Sequence, residues 1–398
     1  MNALSRRSIL AGAASSLCLP ALVRAAPGIT REAIRIGQTM PYSGPASAYG
    51  VVGRAELAVL AMVNAQGGVN GRRIELLSVD DGYSPPRTVE ETRRLVESEQ
   101  VAFMYQGLGT APQTAVQRYL NQRGVPQLFV SSGASRWADP ERFPWTIGWQ
   151  PNYRLEAAIY ARHLLATGSG ARLAVLYQDD DFGRDYLAGL RDVFGDRYDA
   201  VVVAAQSYQT SDPTVTSQIV TLRASGADAM LTVATPKFAA QAIKAIAGMG
   251  WRPAPHYLTN ASASAASVME PAGAENANGI ISGAYLKDAT DPAWAEDPGM
   301  LGMRAWAKEW APELDVNSFS TVFGYGNALS LVELLRQCGD DLSREHVMHV
   351  ATGLRDVVVP VLLPGIEIQC ERTEYQPIKK FQLMRWTGSA WSLFGGVL

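Results

Sequence analysis

The amino-acid sequence predicts an α/β protein built from two doubly wound parallel sheets. Three observations carry this reading. At 398 residues the chain is long for one hydrophobic core and suits two domains. Apolar runs of strand length alternate with helical patterns along the chain, the signature of parallel sheets covered by helices. The stretch from Asn64 to Thr88 writes one βαβ period compactly, with a helix stop, a glycine turn, a buried strand and a second helix start.

The elements follow in order. A strand over Ile34 to Met40 leads to an apolar helix from about Val51 to Val63, which Gly67-Gly68 ends by taking left-handed backbone angles at little steric cost. Asn70-Gly71 turns the chain into the alternating run Arg73 to Val79. Ser84-Pro85-Pro86 then opens a helix over Arg87 to Glu97, with serine placed to cap and proline tolerated in the first turn. Strands are expected at Val101 to Tyr105 and Gln127 to Val130, with Thr110-Ala111-Pro112 starting a helix between them. Prolines and aromatics break the rhythm from Trp137 to Pro151, which reads as a first crossing between lobes. Four further strands are expected at Leu173 to Tyr177, Val201 to Ala204, Ala229 to Ala234 and Ile280 to Ser282, with helix starts at Asp212-Pro213 and Thr235-Pro236. Pro360 to Gly365 could mark a last crossing.

Composition bounds the class. A hydrophobic content of 47% with 18% charged residues describes a soluble globular protein. Residues 1–26 stand apart: Ser5-Arg6-Arg7-Ser8 precedes an apolar, small-residue run ending at Val23, and Val23-Arg24-Ala25 offers a signal-peptidase site. A cleavable export signal and a periplasmic location are expected, and both twin-arginine and Sec export fit. The apolar run is shorter than the roughly 20 residues of a spanning helix, and no later stretch is read as one. Cys18 follows Leu17 where a lipoprotein site needs a small residue, so no lipidation is expected. Cys338 and Cys370 remain, and one disulfide or two separate buried thiols both fit. Cleavage after Ala25 takes the formal charge from −3 to −6, and a mildly acidic product without basic runs argues against a nucleic-acid partner.

Enzymatic motifs are absent from the sequence: no GxSxG elbow, no GxxxxGK phosphate loop and no HExxH. Gly107-Leu108-Gly109 lacks the third glycine of a dinucleotide fingerprint. His346 and His349 could share a helix face beside Glu345, read as solvated rather than metal-binding, and Asp179-Asp180-Asp181 reads as a charged loop. No catalytic residue, metal or cofactor is expected. Ligands of open α/β sheets bind beyond the carboxyl ends of the strands, which directs attention to the loops after Met40, Tyr105, Val130, Tyr177 and Ala234. Gly107 to Thr110 enters a helix whose first free amides and dipole can hold an anion, and Ser131-Ser132-Gly133 forms a second cradle. Together they could grip one carboxylate without a positive side chain. A plain helix-cap role for Thr110 fits equally on chemistry alone.

The wording of Ile34-Arg35-Ile36-Gly37, Ser43-Gly44-Pro45, Tyr49-Gly50, the Asn64 to Thr88 stretch, Gly107 to Thr110, Gly124-Val125-Pro126 and Asp181-Phe182-Gly183, in this order, resembles the branched-chain amino acid (Leu/Ile/Val) binding family. These are type I periplasmic substrate-binding proteins of bacterial ABC importers, and the resemblance covers nearly the whole mature chain. It implies a monomeric Venus-flytrap fold of two lobes joined by a hinge that the chain crosses three times. The first lobe would take residues 27–148 and 279–355, the second 149–278 and 356–398. It also implies partners: a small-molecule ligand and a membrane permease with cytoplasmic ATPase subunits.

Residue by residue, Thr110 matches the family's serine that binds the ligand carboxylate, with Leu108 and Gly109 before it. Ser131 and Gly133, flanking Ser132, match positions that complete the grip, although Gly133 stands where a hydroxyl residue is usual. Tyr49 matches a first-lobe aromatic of the side-chain pocket and Phe182 a tyrosine that closes over the ligand. Thr235 stands where another second-lobe tyrosine would be. The main departure is at His256 to Ala265, where amino-acid-binding members place a glutamate against the ligand ammonium. Here the segment offers Thr259, Asn260 and Ser262, and the next acid is Glu270. Burying an ammonium among neutral partners costs several kcal/mol by order of magnitude. The expectation is therefore a small carboxylate on an apolar or aromatic body, with Asn260, Tyr325, Trp149 and Tyr153 near the cleft; the tryptophan could equally be hinge packing. Alternatives are a binder of leucine, isoleucine, valine or another amino acid, a periplasmic sensor subunit, and an enzyme on a doubly wound fold.

Overall fold

The computed structural model describes residues 27–398 apart from positions 169 and 356; the expected export signal lies outside the described residues. Among the described residues, twelve strands form two sheets. The smaller holds β1 (Ala33–Met40), β2 (Arg73–Asp80), β3 (Met104–Tyr105), β4 (Gln127–Val130) and β5 (Thr146–Gly148), all parallel, in the order β2-β1-β3-β4-β5. The larger is built from β6 (Leu173–Gln178), β7 (Val202–Tyr208), β8 (Ala229–Val233), β9 (His256–Leu258), β10 (Ile281–Ala284), β11 (Gln382–Trp386) and β12 (Trp391–Val397). Its order is β12-β11-β10-β9-β8-β6-β7, parallel from β7 to β10 and antiparallel at the β11–β12 hairpin. The central strands β1, β4, β6 and β8 are apolar and almost wholly buried, as a sheet covered on both faces requires.

Several expectations are adjusted. The segment placed in the first lobe from residue 279 begins with β10, which pairs with β9 and β11 in the larger sheet. The return to the first lobe therefore comes after Ala284, a shift that no local pattern marks. The helices that follow, Pro298–Trp310, Phe319–Cys338 and Arg344–Ala351, do belong with the smaller sheet: Arg344 donates to the carbonyls of Ala102 and Val101 beside β3. The strand expected over Val101 to Tyr105 is confined to Met104–Tyr105, and β5, β9 and the final hairpin were not expected. Ser84 precedes the helix Pro85–Arg93 without a side-chain cap bond, and the helix expected at Asp212-Pro213 begins at Thr216 because Asp212 instead accepts from the Gln209 amide in a turn.

Helix Gly50–Ala65, with the turn before it, is apolar enough over Ser47–Ala65 to resemble a membrane span, contrary to the reading that no later stretch is one. It is a packed helix of the first lobe. A Cβ on Gly324 of helix Phe319–Cys338 would lie 2.6 Å from the Val52 carbonyl oxygen, so glycine is what lets the two helices touch.

Among the described residues, three segments run between the two sheets. One is the stretch around Trp149, wholly buried between Tyr285 (6.0 Å) and Phe323 (5.3 Å), with its indole donating to Ser330 Oγ at 3.1 Å. This is the hinge role weighed for it. The other two run side by side: Lys287 N donates to Val361 O (2.8 Å) and Leu363 N to Tyr285 O (3.0 Å). Lys287 Nζ pins them with Asp297 (2.7 Å) and the Pro360 carbonyl (2.8 Å). Cys338 and Cys370 are separate, buried thiols, each pushed up to about 12 by burial.

Candidate ligand cavity between the lobes

Each sheet reverses its strand order beside a central strand, between β1 and β3 in one and between β6 and β8 in the other. Loops leaving such neighbours diverge to opposite faces and open a crevice at the strands' carboxyl ends. The two crevices face one another and enclose a narrow cavity between them.

The first-lobe wall is laid by extensions of the sheet. Leu108 N donates to Thr39 O (3.1 Å) and Ser131 N to Gly107 O (3.0 Å), bringing Leu108, Gly109, Thr110 and Ser131 to the cavity. Thr110 is the first residue of helix Thr110–Gln122, and Gly109 before it has φ 102°, an angle that favours glycine. The amides of Thr110 and Ala111 have no preceding turn to donate to, and the helix dipole leaves this end positive. Thr110 Oγ1 is buried and shares a 2.7 Å hydrogen bond with Ser132 Oγ. Tyr49 lines the same wall and reaches across to donate to Ala261 O at 3.0 Å; burial pushes its phenol well above the ordinary value.

The second-lobe wall comes from the loops after β6, β8 and β9. Asp180 caps helix Asp181–Phe194 by accepting from the Phe182 amide (3.0 Å), which turns the Phe182 ring against Tyr153 (4.7 Å between centroids). Thr235 is held by its amide donating to Tyr208 Oη at 2.9 Å. Asn260 is set by its amide donating to Glu156 Oε1 at 2.8 Å. Hinge-side aromatics complete the enclosure: Tyr153, whose phenol burial raises to about 12, with Tyr285, Phe319 and Phe323.

Eight of the residues singled out in the sequence thus meet at one cavity: Tyr49, Leu108, Gly109, Thr110, Ser131, Phe182, Thr235 and Asn260. Three do not line it. Ser132 lies behind Thr110 as its hydrogen-bond partner. Gly133 is turned into the hinge, where its carbonyl accepts from Tyr153 N (2.7 Å) and a Cβ would lie 2.4 Å from Pro151 O. Tyr325 packs on Trp306 (4.8 Å); its helix presents Phe319 and Phe323, one turn apart, and two residues beyond Phe323 is about 200° further round the axis. Sequence reasoning missed Tyr83, Gln150, Tyr285, Phe319, Ser320 and Phe323. The i, i+4 pair Phe319/Phe323 after Ser318 was a readable signal; the others come from hinge and loop geometry.

Among the described residues lining the cavity, none is Lys, Arg, Asp, Glu or His. The acid beside it, Glu156, stands behind the wall: it is buried, accepts from Asn260 N and from Tyr160 Oη (2.5 Å), and burial lifts its carboxyl to about 7. Its Oε2 has no hydrogen-bond partner. Outside the cavity the lobes are tied by Ser135, whose amide (2.6 Å) and hydroxyl (2.7 Å) donate to Asp185, and by Arg136 on Asp181 (2.6 Å).

Two facing α/β lobes joined by connecting segments thus enclose a narrow cavity between them. A family model described as periplasmic binding protein matches residues 33–390, and the chain belongs to that family. A Leu/Ile/Val-binding protein homolog 7 from Brucella abortus is 26% identical over 215 residues, covering 50% of this chain and 51% of the relative. The chain thus spans about half the length of the curated relatives it matches. Among solved structures, a branched chain amino acid ABC transporter protein from Thermus thermophilus with bound valine superposes with a TM-score of 0.82 at 15% identity, over 93% of this chain and 97% of that one. A fatty acid ABC transporter substrate-binding protein from Thermomonospora curvata gives 0.77 at 20% identity, over 95% of both. At such identities the structures establish a common fold. The family binds ligands and implies a periplasmic location.

Proposed function

We propose that this chain is the exported, periplasmic solute-binding component of an ABC importer, and that it closes on a small carboxylate with an apolar or aromatic body. The observation that carries the reading is the chemistry of the cavity wall. It offers helix-terminal amides and the hydroxyls of Thr110 and Ser131 at one place, aromatic rings elsewhere, and no charged side chain among the described lining residues. Hydrogen bonds to a charged group contribute about 1.5–3 kcal/mol each, and micromolar binding needs about 8 kcal/mol in total. A few such bonds and an apolar pocket suffice. Ligand that bridges both walls favours the closed arrangement through contacts the open one lacks, and the closed form would be what the permease and its ATPase subunits engage. The names of the Thermomonospora and Thermus proteins, fatty acid and branched-chain amino acid, bracket this choice of ligand.

A second reading, a binder of leucine, isoleucine or valine, is favoured by one observation: Glu156 Oε2 is buried without a partner. Its carboxyl, however, sits behind Asn260, and burial lifts it to about 7, so it is only partly charged at neutral pH. A thermal-shift panel separates the two. Benzoate, cinnamate or octanoate should raise the melting midpoint while the branched amino acids leave it unchanged; a rise with the amino acids alone overturns the carboxylate reading.

A further inference from the structure

Tyr83 sits in a place that the family resemblance does not assign. It follows β2 in the loop Asp81-Gly82-Tyr83, and it lines both the inter-lobe cavity and a wider outer cleft. That outer cleft runs between the first-lobe loops at Pro45 and Ser84 and the second-lobe loops at Asp212 and Lys237. The ring is therefore the partition between the two spaces.

The partition is built. Tyr83 is 6% exposed, and its backbone is left-handed at φ 59°, a conformation that side chains other than glycine and asparagine rarely adopt. Asp81 holds it there: Oδ1 accepts from Tyr83 N (2.9 Å) while Oδ2 accepts from Thr88 Oγ1 (2.8 Å). The ring then lies against Gly109, where any Cβ would be 2.4 Å from Tyr83 Cε2. Gly109 thus serves two ends, starting the anion-facing helix and leaving room for this ring. Across the cleft, Gln178 Nε2 stands 3.4 Å from Tyr83 Oη and is fixed by Asp180 (2.7 Å), while its Oε1 accepts from Tyr208 (3.0 Å). Tyr83 therefore carries a first-lobe ring to a second-lobe partner when the lobes meet.

We propose that Tyr83 is the size-determining residue of the site: its ring, seated on Gly109 and facing Gln178, ends the cavity toward the outer cleft and sets how long a carboxylate the closed form admits. The inference rests on the carboxylate reading above. With the carboxylate held at Thr110, the apolar body lies within the aromatic enclosure, and a longer chain must displace the Tyr83 ring to reach the outer cleft.

The test is a chain-length series, hexanoate, octanoate and decanoate, titrated calorimetrically into the full-length mature protein. Wild type should bind the shorter acids and reject decanoate. Tyr83→Gly removes the ring and suits the left-handed backbone, so it should fold, and it should gain affinity for decanoate by about tenfold or more. Tyr83→Asn, which also tolerates this backbone, serves as the second opening variant, and Tyr83→Phe should keep the wild-type cut-off. A wild-type protein that already accepts decanoate, or opening variants with an unchanged cut-off, overturns the size gate while leaving carboxylate binding intact. Binding of none of the acids by any variant overturns the carboxylate reading and the gate together.

Discussion

Glu156 offers a test of the second-lobe wall that needs no ligand. The carboxyl is buried, and its proton is retained to about pH 7 against an ordinary value of 4.5, chiefly because burial disfavours the charged form. An acid whose folded-state value is raised makes the native protein bind more protons than the unfolded chain between the two values, so stability falls as pH rises through that window. The shift corresponds to about 3 kcal/mol at 1.36 kcal/mol per unit. Glu156→Gln keeps an oxygen for the Asn260 amide and the Tyr160 hydroxyl and removes the titration. Urea unfolding followed by tryptophan fluorescence should find the two proteins alike near pH 4.5. The variant should then become more stable than wild type as pH rises, the gap levelling off above pH 7 at about 3 kcal/mol. Burial also raises Asp180 and Asp288, each to about 6, and tilts the wild-type curve the same way, but both are present in the variant and cancel. Parallel curves across the whole range would refute the placement of a protonated acid beneath Asn260.

Further outcomes follow from other contacts. Thr110→Ala should weaken binding of a carboxylate by about 1–3 kcal/mol in calorimetry, since a buried donor is lost and Ser132 is left without its partner. Asp185→Ala removes two hydrogen bonds that exist only when the lobes meet, and should weaken the same ligand by about 2 kcal/mol without touching the cavity. Small-angle scattering at subsaturating ligand should show a more open molecule than wild type. Tyr325→Phe should leave affinity unchanged within error, because that ring packs on Trp306; a tenfold loss would return it to the site.

The βα rhythm was legible because parallel strands buried on both faces are continuous apolar runs, as at Gln127–Val130 and Leu173–Gln178. Short strands such as His256–Leu258 carry too few residues to show a period. The β10 assignment was illegible for a different reason: its partners, β9 and β11, lie on either side in space but about 25 and 100 residues away in sequence, and nothing local encodes the pairing. In the cavity, Thr110 could be read because helix starts announce themselves through glycine, proline and capping residues, whereas Phe182 was named only through the family resemblance. Gly133 and Tyr83 could not. The first is diverted by the connecting segment at Pro151, and the second reaches the cavity only because Gly109 lacks a side chain.

The central claim is that the cavity accommodates a carboxylate and provides no counter-ion for a positive nitrogen. Leucine and 4-methylpentanoate differ only in the ammonium group, so titrating both into the mature protein by calorimetry isolates it. The account predicts that the deaminated acid binds and that leucine is weaker by several kcal/mol. Tighter binding of leucine would contradict it.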